Sequence, residues 1–546
     1  MSERRTGSVP SWVGEACFYQ IFPDRFARGS AGAGGAGAPA AGNLEGWSAE
    51  PTVGGYKGGT LRGITEGLDY LEELGVNAIY LNPIFASPAN HRYHTQDYFL
   101  IDPVLGDERD FDDLLAACHS RGIRLILDGV FNHVGRGFFQ FANVLENGPS
   151  SPYLDWFYLN PSLLEEGKIR AYPSEREAQL LAAGGDTYEV LGYRAWANLA
   201  PLPKLNVSTP EVREFLLKVS EYWIRKGIDG WRLDVPEEID DPPFWREFRS
   251  RVRGINPEAY ILGEIWHHAP DWLEGDRFDG LMNYPFSRGL LGFFGAEKLD
   301  TRFRPGGYPL KPVEGGELGD QIINQLELYR WETNLGQFNL LGSHDTPRLL
   351  TLLSGDRGRA ALATVALTTL PGAPCIYYGD EIGMSGGDDP GCRGGFLWNQ
   401  EAWDAPMREL YRRALALRRE SSALRRGAFG LLSGAGEGLL IYSRWDAQEL
   451  LLTLWNRSCE PRSLELPEGR VREPERWAGP SDLASPPWPE GGAVLRPLLL
   501  VEGAQGDLRV RDASQPIAAD GHPGGGRFTL SLPPVSGGVY RLEGAS

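Results

Sequence analysis

Methionine, histidine and cysteine are all scarce in this chain: of 546 residues, 4 are Met, 8 are His and 5 are Cys. The cysteines, at 17, 118, 375, 392 and 459, are odd in number and none forms a CxxC. That pattern excludes a disulfide-built scaffold. Cys17, Cys118 and Cys375 lie in apolar runs and read as small buried hydrophobes. The opening stretch MSERRTGSVPSWVGEA carries two Arg but no apolar core, so no signal peptide is visible. Together these features imply a reducing, cytoplasmic compartment. No long apolar run survives unbroken. The most apolar stretch, 360–378, is interrupted at Pro371-Gly372 and reads as a buried helix running into a strand. Basic residues are in deficit, 54 Lys and Arg against 73 Asp and Glu, a net charge of −19. Such a surface repels phosphate backbones and anionic lipid, which excludes nucleic acid and membranes as partners. No GxGxxG or Walker motif follows the first apolar run, which argues against an open, doubly wound sheet around a nucleotide.

What is present has a clear order. Eight short apolar runs recur: FYQIF (18–22), NAIYL (77–81), RLILD (124–128), GWRLD (230–234), YILGE (260–264), DGLMN (279–283), FNLLG (338–342) and PCIYY (374–378). Amphipathic segments at 61–74, 111–121 and 212–226 precede the second, third and fourth. Buried strands alternating with helices imply a parallel sheet. Eight such units predict a closed (β/α)8 barrel, which needs ~250 residues plus insertions. The domain reading is a barrel over 1–133 and 207–425, with an excursion domain over 134–206 after the third strand. That excursion is too long for an ordinary βα loop. Short alternating runs such as GLLIYSRW and ELLLTLWN predict a C-terminal antiparallel β-sandwich over 426–546, with Pro/Gly-rich turns concentrated at 468–492. Ser30 to Gly42 is Gly/Ala-rich and reads as a mobile loop.

In a barrel the C-terminal strand ends build the active site. The third run ends DGVFNH, giving Asp128, Asn132 and His133. The fourth ends WRLD, where Arg232 and Asp234 at i, i+2 share one face of a strand. The fifth supplies Glu264 and the seventh, GSHD, supplies His344 and Asp345. One Asp at a strand end is usually a helix cap, and one Arg–Asp pair is usually structural. Those readings would have to hold at four strand ends at once, while six of the eight His (91, 94, 133, 267, 268 and 344) also fall in rim motifs. HisXxxXxxHis at 91–94 and His267-His268 lack the further ligands of a closed zinc site, so no metal is assigned. Paired carboxylates suit glycoside hydrolysis, in which one must be ionised and the other protonated. Arg232 keeps Asp234 ionised, and Glu264 beside Ile265 and Trp266 is raised by desolvation. Asp345 stabilises positive charge at the sugar, and His133 and His344 donate to hydroxyls.

DGVFNH, GWRLDVPEE, ILGEIW and LLGSHDTPR resemble, in order, the four signature regions of the α-amylase family of glycoside hydrolases; GVNAIYLNPIF and GAPCIYYGDEIGM resemble its flanking regions. The resemblance spans 14–430. It implies double displacement with retention, with Asp234 as nucleophile, Glu264 as acid/base and Asp345 as transition-state stabiliser. His91 and Tyr93 in NHRY match residues that hold and stack on the −1 sugar. PLPKLN (201–206) is similar to the signature of the neopullulanase, cyclomaltodextrinase and maltogenic amylase group. In that group the residues matching Glu238 and Trp266 shape the acceptor side, and those matching Asp389 and Arg393 bind the non-reducing side. The implied substrates are maltodextrins, cyclodextrins, pullulan and starch, cleaved at α-1,4 and also α-1,6 bonds. A glucanotransferase or a trehalose-forming isomerase is the alternative enzyme, and a non-catalytic relative the alternative module.

Three departures stand out. The group's N-terminal dimerisation domain is expected to be absent, since the first strand begins near 17, which leaves a monomer or a homodimer. The group's calcium loop reads NGDxxND with a later GGD; here ARGSAGAGG and GGT (58–60) lack those carboxylates. No cofactor is therefore required, and calcium loses its usual ligands. The group's DVANE is here DVPEE, and its YDT is YHT, with His94.

Overall fold

The computed structural model describes residues 8–30, 43–433, 438–474, 476–483, 485–487, 493–503, 508–511, 517–518 and 527–544. Apart from Ser30, the Gly/Ala-rich segment lies outside the described residues.

Each of the eight apolar runs forms a strand. They are β1 (Phe18–Ile21), β2 (Ala78–Leu81), β3 (Arg124–Gly129), β4 (Gly230–Leu233), β5 (Tyr260–Gly263), β6 (Gly280–Leu281), β7 (Phe338–Leu340) and β8 (Ala373–Tyr377). The strands pair in parallel from β6 back to β1, then on through β8 to β7. A parallel bridge between Met282 and Phe338 links the two ends, so the sheet closes on itself. The chain makes a barrel because its strands are largely apolar on both faces. Alternate residues such as Phe18, Tyr80, Ile126, Leu262 and Leu340 fill the lumen, while their neighbours Tyr19, Ile79, Leu125, Trp231 and Ile261 pack outward on the helices. Backbone approach is close at β4: a Cβ on Gly230 would stand 2.2 Å from the Tyr260 carbonyl oxygen, so this register requires glycine.

The intervening helices carry local start and stop signals. Pro210–Lys226 begins with Pro at its first turn, ends with Arg225 and Lys226, and stops at Gly227 with φ 113°. Glu108–Ser120 opens on a capping box between Asp107 and Asp110. The apolar 360–378 stretch is the helix Arg357–Thr369 leading into β8.

After β3 the chain leaves the barrel through short helices, including Phe139–Asn147, Pro161–Glu165 and Glu175–Ala182. Bridges His133↔Lys204 and Phe157↔Leu205 tie this excursion back to the rim. Beyond 426, eight strands among the described residues form an antiparallel sheet, and Arg462–Pro467 pairs with Arg527–Leu532 as a second layer. Leu452, Leu464, Phe528 and Leu530 are buried in one cluster that joins these two layers. The 468–492 region holds the short helix Glu468–Arg472 and the strand Arg476–Ala478 among its described residues, rather than turns alone. Arg444 donates to the Thr369 carbonyl at 2.7 Å, pinning this sheet to the barrel.

Candidate active site

The strand register sets the site. In the barrel, Asp128 pairs with Arg232 and Arg232 with Leu262, so the inward positions of β3, β4 and β5 run on to Asp128, Asp234 and Glu264. Arg232 is fully buried at the centre of these acids. Its Nη1 donates to Asp128 Oδ1 at 2.9 Å and to Asp234 Oδ1 at 2.9 Å. Its Nη2 lies 3.0 Å from Glu264 Oε2, but without hydrogen-bond geometry. Glu264 also accepts from Trp266 Nε1 at 3.1 Å and from the Val235 amide at 3.1 Å. Val235 takes a left-handed backbone, φ 36° and ψ 52°, which is costly for a β-branched side chain and turns its N–H toward Glu264.

Burial raises Glu264, with Arg232 opposing and Asp345 adding to the rise. Burial and the Glu264 anion likewise raise Asp234 well above the ordinary carboxylate range, against the pull of Arg232. Three neighbouring acids around one guanidinium cannot all ionise freely, so the cluster retains a proton at pH values where a solvated carboxyl has lost it.

A hydrogen-bonded layer lies beneath. Tyr80 and Tyr93 hydroxyls donate to Asp128 Oδ2 at 2.5 and 2.9 Å. Gln20 Nε2 donates to His344 Nδ1 at 2.8 Å and to Asn82 Oδ1 at 3.0 Å. That bond leaves the other ring nitrogen, Nε2, as the protonated one, 2.6 Å from the Tyr93 oxygen. Burial holds His344 well below its usual value, with Arg393 and Arg232 adding to the effect. Burial also pulls His133 down to about 3 and His94 to about 4. The imidazoles are therefore neutral and suit uncharged hydroxyls.

Above these groups opens a cavity of about 410 Å³. Asp234, Glu264 and Asp345 form its floor, with His91, Tyr93, Asp389 and Arg393 on one side and Trp196, Leu199 and Leu202 from the excursion on another. Arg393 bonds Asp345 Oδ1 at 3.2 Å, the His344 carbonyl at 2.8 Å and Asp389 Oδ1 at 2.9 Å. Trp266 lies flat on Tyr284, 3.5 Å apart at 4°, and Trp196 stacks on His133 at 5.2 Å.

A family model described as alpha amylase, catalytic domain, matches residues 20–423. The chain belongs to the α-amylase family of glycoside hydrolases. A cyclomaltodextrinase of Geobacillus thermopakistaniensis is 43% identical over 461 residues, covering 84% of this chain and 71% of that one. The crystal structure of Ttha1563 from Thermus thermophilus is 44% identical with TM-score 0.81, covering 97% of this chain and 99% of that one. The debranching enzyme of Nostoc punctiforme in its native form is 39% identical with TM-score 0.79, covering 98% and 99%.

In this glycoside hydrolase the twelve residues singled out from sequence do not all reach the cavity. Arg232 and His344 lie beneath its lining, acting on the groups that do line it. Glu238 stands outside it, half-exposed, in an ion pair with Lys204 at 2.9 Å. Gln20, Tyr80 and Asn82 were not singled out, yet they anchor His344, Asp128 and Tyr93. Their signal was available: polar side chains at inward positions of strands otherwise filled with apolar residues. Trp196, Leu199 and Gly306 carried no such signal, because irregular loops bring them in.

Proposed function

We propose that this enzyme hydrolyses α-1,4-glucosidic bonds, and also α-1,6 bonds, in maltodextrins, cyclodextrins, pullulan and starch, with retention at the anomeric carbon. Asp234 is the nucleophile, Glu264 the acid/base and Asp345 the stabiliser of charge in the transition state. The observation that carries this reading is the guanidinium of Arg232, shared by Asp128, Asp234 and Glu264 at 2.9–3.0 Å.

Arg232 discriminates between the two reacting carboxyls. It donates a true hydrogen bond to Asp234 and only approaches Glu264. Asp234 serves as the ionised nucleophile in this reading because Arg232 bonds it directly, and Glu264 serves as the proton donor; burial and the Glu264 charge raise Asp234 against that pull. Asp234 attacks the anomeric carbon while Glu264 protonates the leaving oxygen; the resulting ionised Glu264 then takes a proton from the water that releases the sugar. The neutral imidazoles of His91 and His133, which line the cavity, hold ring hydroxyls without adding charge, and His344 acts beneath them through Tyr93. Trp266 orients Glu264 and shapes the acceptor side, with Glu238 on the rim beyond it, and Asp389 with Arg393 holds the non-reducing side. The names of the relatives, cyclomaltodextrinase and debranching enzyme, support the substrate class. The five free cysteines support a reducing, cytoplasmic setting. Among the described residues, no helix is long and apolar enough to cross a membrane.

Product analysis on maltotriose, β-cyclodextrin, pullulan and soluble starch side by side tests this. Maltose, glucose and panose-type fragments are the expected products. New α,α-1,1 linkages or chains longer than the substrate, dominating the mixture, would replace hydrolysis with transfer or isomerisation.

A further inference from the structure

The segment after β1 is where amylase-family enzymes of this group are expected to hold calcium. The described residues here do not fit a divalent ion. Lys57 is fully buried, and its ammonium points into the loop it belongs to. Its Nζ donates to the carbonyl oxygens of Gly46 at 2.9 Å and Ala49 at 2.6 Å, and lies 3.0 Å from Glu45 Oε2. Those are a metal's ligand types, two carbonyls and a carboxylate, converging on a nitrogen. The nearby buried carboxylate is also committed: Asp24 accepts from the amides of Lys57 and Gly58 at 2.8 and 3.1 Å and pairs with Arg25 at 3.0 Å. Among the described residues, no three His, Cys, Asp or Glu side chains gather to hold a metal.

The surrounding cations work the same way. Arg28 Nε donates to the Lys57 carbonyl at 2.8 Å, and Arg25 Nη2 to the Gly55 carbonyl at 2.7 Å. Basic side chains thus gather main-chain oxygens that would otherwise be buried without donors. The folded loop in turn grips the segment that carries His91 and Tyr93. Asn90 Nδ2 donates to the Val53 and Gly55 carbonyls at 2.9 and 2.8 Å. The Tyr56 hydroxyl donates to the Pro88 carbonyl at 2.9 Å, and Arg92 stacks on the Tyr56 ring at 5.5 Å.

We propose that the Lys57 ammonium is the structural cation of this loop, replacing a divalent metal, and that it positions His91 and Tyr93 through Asn90 and Arg92. The role is one of positioning, since Lys57 does not line the cavity. It rests on the fold and on the loop, and it stands whether or not the proposed substrates are right.

Thermal midpoints test it without reference to activity. Neither EDTA nor added calcium moves the midpoint of the wild-type enzyme. Lys57→Met, isosteric but uncharged, lowers it by about 5 °C, because Glu45 and two carbonyls lose their cation. Lys57→Met with Glu45→Gln recovers part of that loss, which a packing role for the lysine stem would not produce. Well below its midpoint, Lys57→Met loses about tenfold in kcat/KM. A wild-type midpoint that falls in EDTA and returns with calcium overturns the proposal, even if Lys57→Met does not fold. So does a Lys57→Met enzyme with wild-type midpoint and turnover.

Discussion

The Tyr93 hydroxyl lies 2.6 Å from Nε2 of His344, and the two rings lie 5.5 Å apart and 4° from parallel. One residue comes from a loop after β2 and the other from the end of β7. Their contact joins two loops of the barrel mouth whose strands lie three places apart. The Tyr93 oxygen accepts hydrogen bonds from His344 Nε2 and Asn82 Nδ2 and donates its own to Asp128 Oδ2.

Removing that hydroxyl breaks the relay but leaves the ring in place. Tyr93→Phe is expected to lower kcat/KM by roughly 10- to 100-fold, the cost of losing hydrogen bonds to a charged partner. Its midpoint should stay close to wild type. Steady-state kinetics on a maltodextrin beside thermal unfolding check both halves. An unaltered kcat/KM would detach the relay from catalysis.

The acid limb of the chemistry has a definite sign. Burial raises the Glu264 carboxyl, so its protonated, proton-donating form persists toward neutral pH. Activity should fall as pH rises through that raised value. Glu264→Gln should abolish the limb and slow natural glucans by several orders of magnitude. A glycosyl fluoride, whose leaving group needs no proton, should still react in the first step. A pH profile of kcat/KM for both enzymes decides; a limb surviving in the variant assigns it to another group.

Gly306 fixes the indole that touches Glu264. Its φ is 59°, and a Cβ there would stand 2.4 Å from Trp266 Cε3. Gly306→Ala should push Trp266 off Tyr284, raise KM several-fold and shift tryptophan emission. Emission and KM both unchanged would mean that the loop yields instead.

Asp380 gives a prediction about stability. Burial pushes its carboxyl up to about 7, with the facing Arg348 opposing and Glu381 adding. A group raised on folding contributes stability that is full below its unfolded value, near 4, and is lost as pH climbs through about 7. Asp380→Asn, which mimics the protonated form, should flatten the decline in midpoint between those pH values. Thermal scans across the range, wild type against variant, measure it; parallel curves would contradict the shift.

The barrel was legible because its evidence is local. An apolar run such as RLILD, ending in a polar residue and preceded by an amphipathic helix, needs no distant partner to be read. Arg232 and Asp234 were legible for the same reason, as an i, i+2 pair on one strand. Lys57 was not, because its partners Gly46 and Ala49 offer only main-chain oxygens, which leave no trace in sequence. Glu238 was placed near the acceptor side by resemblance alone, and its pairing with Lys204 depends on how the excursion folds back. Trp196 reaches the cavity through a turn whose Ala197 and Asn198 both adopt positive φ. Asn198 tolerates that backbone but Ala197 does not favour it, so the residue types gave only a weak sign of the bend.

The assignment of Asp234 as nucleophile is the centre of the account. A slow-turnover fluorinated glucosyl fluoride, followed by digestion and peptide mass spectrometry, tests it most directly. The account predicts one added glycosyl unit on the peptide containing Asp234, and none in Asp234→Asn. A label on Glu264 or Asp345, or the absence of any covalent adduct alongside inverted product, would contradict it.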